Sequence, residues 1–351
     1  MERYIGLDVH AASCTLAVEG PSGKHLRLDV VETNGKALIE YIKLIPGRLH
    51  LCMEEGTQSA WLYEVLSPHV DDLVVLNGQK SKGQKNDKID AFGLAERVRL
   101  KDYEVPVYKE VGKFGELREL CFAHRKVVAD HVRVQNRIKA LFRSRGIDTK
   151  GDRLFGQKER EDNVKKLPTK MRSAAQILLE EYDMLLQLRK KSQEHLEEEA
   201  NRHEIIKILK TAPGMGPIRV AHLMSVVISP YRFRTKKQLC SYAGLGVVMR
   251  SSSDWVKGPH GKWMRVETQQ TRGLTRQYNA VLKWVFKGAA TTVITGLPKD
   301  PLHENYQKML EGGTKPNLAK LTLARKIAAL VLSMWKNKKE YDPTKVRSQD
   351  P

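Results

Sequence analysis

Cysteine is scarce in this chain: four occur in 351 residues, at Cys14, Cys52, Cys121 and Cys240, and no two form a CxxC pair. That spacing argues against a zinc ribbon and against a disulfide scaffold, and the four read as reduced, mostly buried thiols of a cytosolic protein. Long apolar runs are also missing. The best candidate, Ile327 to Leu332, is flanked by Arg325, Lys326 and Lys336. It is far short of the ~20 residues a bilayer span needs, and it suits a packed helix. The opening MERYIGLDVH has no signal-peptide architecture. There is no internal repeat and no low-complexity segment. Acidic residues are in deficit, 41 against 61 Lys and Arg, for a formal net charge of +20. The excess recurs along the whole chain, which favours a polyanionic partner over a merely basic soluble protein.

The hydrophobic fraction of 41% is ordinary for a globular protein, and the length allows two domains with a connecting element. Tyr4 to Leu7, Cys14 to Val18 and His25 to Val31 read as an opening three-strand meander, with a turn at Pro21-Ser22-Gly23-Lys24. Lys36 to Leu44 reads as an amphipathic helix closed by Pro46-Gly47. A strand at Leu49–Met53, a helix at Ala60–Leu66, a strand at Leu73–Leu76 and a helix from Asp87 through Leu100 follow. The fold class is therefore a mixed α/β sheet domain followed by mainly helical parts.

Residues 113–145 change character. Leu117, Leu120, His124, Val127, His131, Val134, Ile138 and Leu141 step by three and four, as the seam of one long helix does. A second helix is expected from Thr169 to Lys210, between Pro168 and Pro213, roughly 60 Å long. Gly151 to Pro168 is charged and poor in apolar residues and reads as a loop. The two helices form either an antiparallel hairpin or a pairing between subunits; a plain spacer is the competing reading. Further on, Ile218–Val227 and the basic stretch Leu318–Trp335 read as helices.

Four acidic positions could converge. Asp8 ends a buried-type strand, and Val9-His10-Ala11 after it offers none of the glycine that a phosphate loop needs, which counts against an ATPase. Glu54 and Glu55 follow the Leu49–Met53 strand and point to opposite faces, so at most one joins Asp8. Asp87 and Asp90 share one helix face, where helix capping competes with metal binding. Together such carboxylates can hold two divalent ions for phosphodiester chemistry. Trp255, Lys257, His260, Lys262, Trp263 and Arg265 interleave bases with aromatics, which suits nucleic acid as well as a solvated basic loop.

YIGLDVH, EEGTQSAWLYEVL, KNDKIDAFGLAERVR, TAPGMGPIRVAHLMSVV and SYAGLGVVMRSSSDWVKG resemble, in order, the DEDD transposases of bacterial insertion sequences, the insertion-sequence one-ten family. The resemblance implies a ribonuclease-H-like (RuvC-like) domain over 1–110, a long-helix coiled-coil region over 111–210, and a C-terminal transposase domain over 211–340. It carries the metal tetrad to Asp8, Glu55, Asp87 and Asp90; counting to Trp61 favours Glu55, with Glu54 as the fallback. Counting from Ala243-Gly244-Leu245 carries the nucleophile to Ser252, within the run Ser251-Ser252-Ser253. PGMGP resembles a helix-hairpin-helix turn, with Gly214 and Gly216 offering N–H groups to phosphate, and a simple Gly-Pro helix connection is the competing reading. Arg250, Lys257, Lys262 and Arg265 complete the expected nucleic-acid contacts. The resemblance further implies Mg2+ (or Mn2+), element-end and target DNA, a structured non-coding guide RNA, a dimer or tetramer, and a cytoplasmic, nucleoid-associated location without membrane contact. A RuvC-like junction nuclease using water and a non-catalytic nucleic-acid-binding protein are the alternatives.

Overall fold

A computed structural model describes residues 1–78, 86–103, 114–151, 154–249, 255–257, 261–265 and 271–347. The chain divides into two compact units, Met1–Glu110 and Val111–Pro351. In the first, β1 (Glu2–Val9), β2 (Ser13–Glu19) and β3 (His25–Glu32) form the antiparallel meander. There follow α1 (Gly35–Lys43), β4 (Arg48–Glu54), α2 (Ser59–Leu66), β5 (Asp72–Leu76) and α3 (Asp87–Leu100). The five strands lie in the order β3-β2-β1-β4-β5, with β1, β4 and β5 parallel. Asn34 starts α1 by accepting from the N–H groups of Lys36 and Ala37, an ordinary asparagine cap.

Strand alternation sends β1 to two different neighbours. Ile5 and Leu7, with Leu49, Leu51 and Met53 of β4, join the buried cluster that holds Leu38 and Ile42 of α1 and Leu62 and Leu66 of α2. On the other face Cys52, Val74 and Leu76 pack with Leu94 and Val98 of α3. There the helix backbone comes down onto Gly6: a Cβ at that position would stand 1.8 Å from the Ala91 carbonyl oxygen and 2.6 Å from the Ala95 nitrogen. Only a residue without a side chain permits that approach. All four cysteines are buried and unpaired, and burial pushes the Cys52 thiol up to about 12.

The second unit opens with α4 (Gly115–Arg143), α5 (Gln157–Lys165) and α6 (Thr169–Asn201). Of the expected seam, Leu117, His124, His131, Val134 and Ile138 are buried, and Leu120, Val127 and Leu141 are half-buried. It pairs within the chain, as an antiparallel hairpin. His124 Nδ1 lies 3.0 Å from Ser192 Oγ, and Arg137 reaches Glu181 at 3.5 Å. Two expectations need correction. The segment from Gly151 to Pro168 is not all loop, because it contains α5. Arg160 clamps Asp183 of α6 with bonds of 2.5 and 2.9 Å, and Leu154, Phe155, Val164 and Leu167 enter the core. The second long helix stops at Asn201, at about 50 Å. There Arg202 and His203 donate to carbonyls three residues back, a tightened last turn, and buried Glu199 accepts from Arg202 and sits 3.1 Å from the His203 ring.

The rest comprises α7 (Glu204–Leu209), α8 (Pro217–Val227), α9 (Lys236–Tyr242), β6 (Val247–Met249), β7 (Trp255–Lys257), β8 (Trp263–Arg265) and β9 (Thr271–Leu274). The chain then runs through α10 (Ala280–Gly296), α11 (Pro301–Glu311), α12 (Pro316–Asn337) and α13 (Pro343–Arg347). Helices α8, α10 and α12 supply Val220, Leu223, Phe286, Ala289, Ile327 and Ala328 to the common core. Among the described residues no helix is long and apolar enough to cross a membrane.

Candidate active site

Asp8 is the penultimate residue of β1, and its side chain is only 22% exposed. Helix α3 brings Asp87 and Asp90 to it in its first turn. The cap that competes with their role is filled by Asn86, whose side chain accepts from the Lys88 N–H. Both acids still favour the helix dipole from the first turn, and they remain available to a ligand. His10, which sequence reasoning left out of the site, joins them. Its Nε2 lies 3.2 Å from Asp8 Oδ2 and 3.5 Å from Asp87 Oδ1. One ligand atom each from Asp8, His10 and Asp87 lies within 4.8 Å of the others. The signal was available: His10 stands two residues after Asp8, the spacing that keeps side chains on one side of a strand.

The Asp8 carboxyl is held above the usual carboxylate range, first by burial. His10 opposes that shift, while Asp87 and Asp90 add to it as like charges. Asp8 is thus partly buried beside like charges, while Asp87 and His10 open to solvent. A divalent cation fits that donor set. Asp8, His10 and Asp87 bring the ligand atoms that could hold it, and Asp90 is near enough to act on Asp8.

Strand alternation separates the two glutamates. Leu7 of β1 is in register with Met53 of β4, so Asp8 continues that register beside Glu54. Glu54 in turn pairs with Leu76, which packs on the α3 face. Glu54 therefore ends β4 on the side of the sheet where Gly6 and Asp8 meet α3, and its carboxylate lies against Gly78: a Cβ there would stand 3.1 Å from Glu54 Oε2. Glu55 lies one residue past the strand, exposed, and its N–H donates to the Leu76 carbonyl at 2.7 Å. Neither glutamate is among the groups acting most strongly on Asp8.

In the second unit, Ser252 and Arg250 lie outside the described residues. Lys257 and Arg265 sit on the two-stranded ribbon β7–β8, where Trp255 pairs with Arg265 and Lys257 with Trp263. Trp255 and Trp263 are both more than half exposed, and Lys257 Nζ stands 6.0 Å over the Trp263 ring. Lys262 is exposed beside β8. Such a ribbon offers ring faces and cations together, as single-strand binding requires. Gly214 serves packing. Its φ is +74°, and a Cβ would stand 2.4 Å from the Ala289 carbonyl of α10. Its own carbonyl accepts from Arg219 at 2.7 Å. Gly216 is the exposed N-cap of α8, with open space where a Cβ would go.

Two family models match the chain. One, for the DEDD-type IS110 group and described as "Transposase", covers residues 5–145. The other, described as "Transposase IS116/IS110/IS902 family", covers residues 206–307. A similar curated protein is the "Insertion element IS116 uncharacterized 44.8 kDa protein" of Streptomyces clavuligerus, 22% identical over 346 residues that cover 82% of each chain.

Proposed function

Because the chain belongs to the IS116/IS110/IS902 family of transposases, DNA-processing enzymes, we propose that it is the recombinase of a bacterial insertion sequence, joining DNA strands through a covalent serine–DNA intermediate. The observation that carries this reading is the meeting of Asp8, His10 and Asp87 within 4.8 Å at the end of a central strand. We assign metal binding to Asp8, Glu54, Asp87 and Asp90, with His10 beside them. Strand alternation is the reason for taking Glu54 in place of Glu55. Mg2+ is the fitting ion for so many carboxylates, and when bound it supplies charge neutralisation at a scissile phosphate and activation of a nucleophile.

The chain's own residues do the rest. The Ser252 hydroxyl oxygen bonds phosphorus as the bond from phosphorus to a deoxyribose oxygen breaks, and the serine proton passes to that leaving oxygen. A hydroxyl of a second strand then attacks the phosphoserine ester, restoring a DNA linkage and freeing the serine. Arg250 and Lys257, the nearest cations in sequence, offset the charge of the phosphate. The β7–β8 ribbon, with Lys262 and Arg265, and the Gly216 turn are assigned to nucleic acid. A structured guide RNA and an assembly of two or four copies belong to the same proposal, as does a division of labour between 1–110 and 211–340.

Incubation with nicked or junction DNA and Mg2+ tests it. A protein–DNA adduct that disappears in Ser252→Ala is the expected result. Cleavage that persists in that variant instead identifies a nuclease using water. Asp8→Ala abolishes cleavage under both schemes, and undiminished cleavage would remove the acidic cluster from the mechanism.

A further inference from the structure

A shallow cavity of about 380 Å3 lies on the outer face of α10. Its wall carries Tyr278, Trp284, Lys283, Lys287 and, from α12, Lys320; among the described residues no acidic side chain lines it. Lys283 and Lys287 are four apart on the helix, so they project from one side of it. Trp284 is 50% exposed and Tyr278 40%. Large rings left half in water beside three cations are not what core packing produces.

Both rings are held in place. The Trp284 indole meets the edge of the buried His222 ring at 88°, with centroids 5.4 Å apart. The Tyr278 ring lies against the backbone of Gly244, where a Cβ would come within 2.5 Å of Tyr278 Cγ. Lys283 Nζ sits 3.9 Å over the same ring. Immobilised aromatic faces pay little ordering entropy on binding. An aromatic face stacks on a base only where that base is unpaired, while lysines take up phosphates of any strand.

We propose that the α10 face is a second nucleic-acid site, separate from the β7–β8 ribbon, and that it takes unpaired nucleotides: bases on Trp284 and Tyr278, phosphates on Lys283, Lys287 and Lys320. This goes beyond strand transfer, since it needs neither Ser252 nor a metal.

The test is oligonucleotide binding by the full chain in EDTA, which keeps it independent of cleavage. Fluorescence anisotropy is read with labelled oligothymidylate, oligouridylate and a blunt duplex. Trp284→Leu and Tyr278→Leu each weaken single-strand binding by about tenfold and leave duplex binding within about twofold. Trp284→Phe restores most of the loss. Lys283→Gln with Lys287→Gln lowers the salt dependence of binding to all three probes. Preference for oligouridylate identifies RNA as the occupant and preference for oligothymidylate a displaced DNA strand; either supports the site. Should the leucine variants fail to fold, photocrosslinking of the wild type with halogenated or thiolated pyrimidine probes decides, the expected adducts being on Tyr278 or Trp284. Unchanged single-strand affinity in folded variants, or adducts confined to Trp255 and Trp263, overturns the proposal. So does a change of oligomeric state in Trp284→Leu without a change in oligonucleotide binding, which would make the face a contact between copies.

Discussion

His10 Nε2 stands 3.2 Å from Asp8 Oδ2 and 3.5 Å from Asp87 Oδ1, bridging a strand end and a helix start. An imidazole among carboxylates changes which ions the site prefers. Carboxylate oxygens suit Mg2+, whereas imidazole nitrogen favours later first-row metals. Replacing His10 by Ala is therefore expected to cost roughly tenfold in Mn2+ affinity and to leave Mg2+ affinity nearly unchanged. Thermal melting of the full chain against each chloride salt measures both. Equal losses for the two ions would show that His10 only balances charge.

The choice between adjacent glutamates is open to a direct comparison. Glu54 shares a face of the sheet with Asp8, and Glu55 does not. Glu54→Gln should lower strand cleavage by on the order of a hundredfold, equivalent to ~3 kcal/mol of barrier, and Glu55→Gln by less than about threefold. Initial rates on one junction substrate suffice, and the opposite ranking would restore Glu55.

Stability should depend on pH through His222. It is buried in α8, and burial, with help from His124 and Arg125, lowers its pKa to about 4. The unfolded chain, with the histidine near its ordinary 6.5, binds the proton more readily than the folded one. The contribution is thus fully present above pH 6.5, and it is lost progressively as the pH falls from 6.5 towards 4. The total is about 3 kcal/mol. Urea midpoints across that window should fall in the wild type and fall less steeply in His222→Gln.

Elements whose apolar residues repeat with a clear period were legible in the sequence. The meander over 4–31 and the seam from Leu117 to Leu141 follow from alternation and from steps of three and four. Helix α5 was not legible, because its own sequence QKEREDNVK carries almost no apolar stripe. It is held by its one apolar residue, Val164, by residues beyond its ends and by Arg160 on Asp183. The end of the second long helix was hidden for the opposite reason. Apolar positions continue through Ile205, Ile206 and Leu209, and the interruption depends on hydrogen bonds around Glu199 that no pattern reveals. In the site, Asp8, Asp87 and Asp90 were readable because strand ends and helix starts are local features. Placing Glu54 on the α3 side of the sheet required the register between β1 and β4, which is a property of two strands together.

The contact of Gly6 with Ala91 reaches further than packing. Asp8 is two residues from the glycine, and Asp87 and Asp90 are within a turn or so of the alanine, so the gap between the two halves of the acidic cluster is set where neither residue has a polar side chain. Under the proposed function a hydrogen atom at position 6 is as much a requirement of the site as its carboxylates. The target for inactivating mutation is correspondingly wider than the set of residues that would touch metal or DNA. Enlarging position 6 must also move α3, and with it Asp87 and Asp90, so the two halves of the cluster shift together.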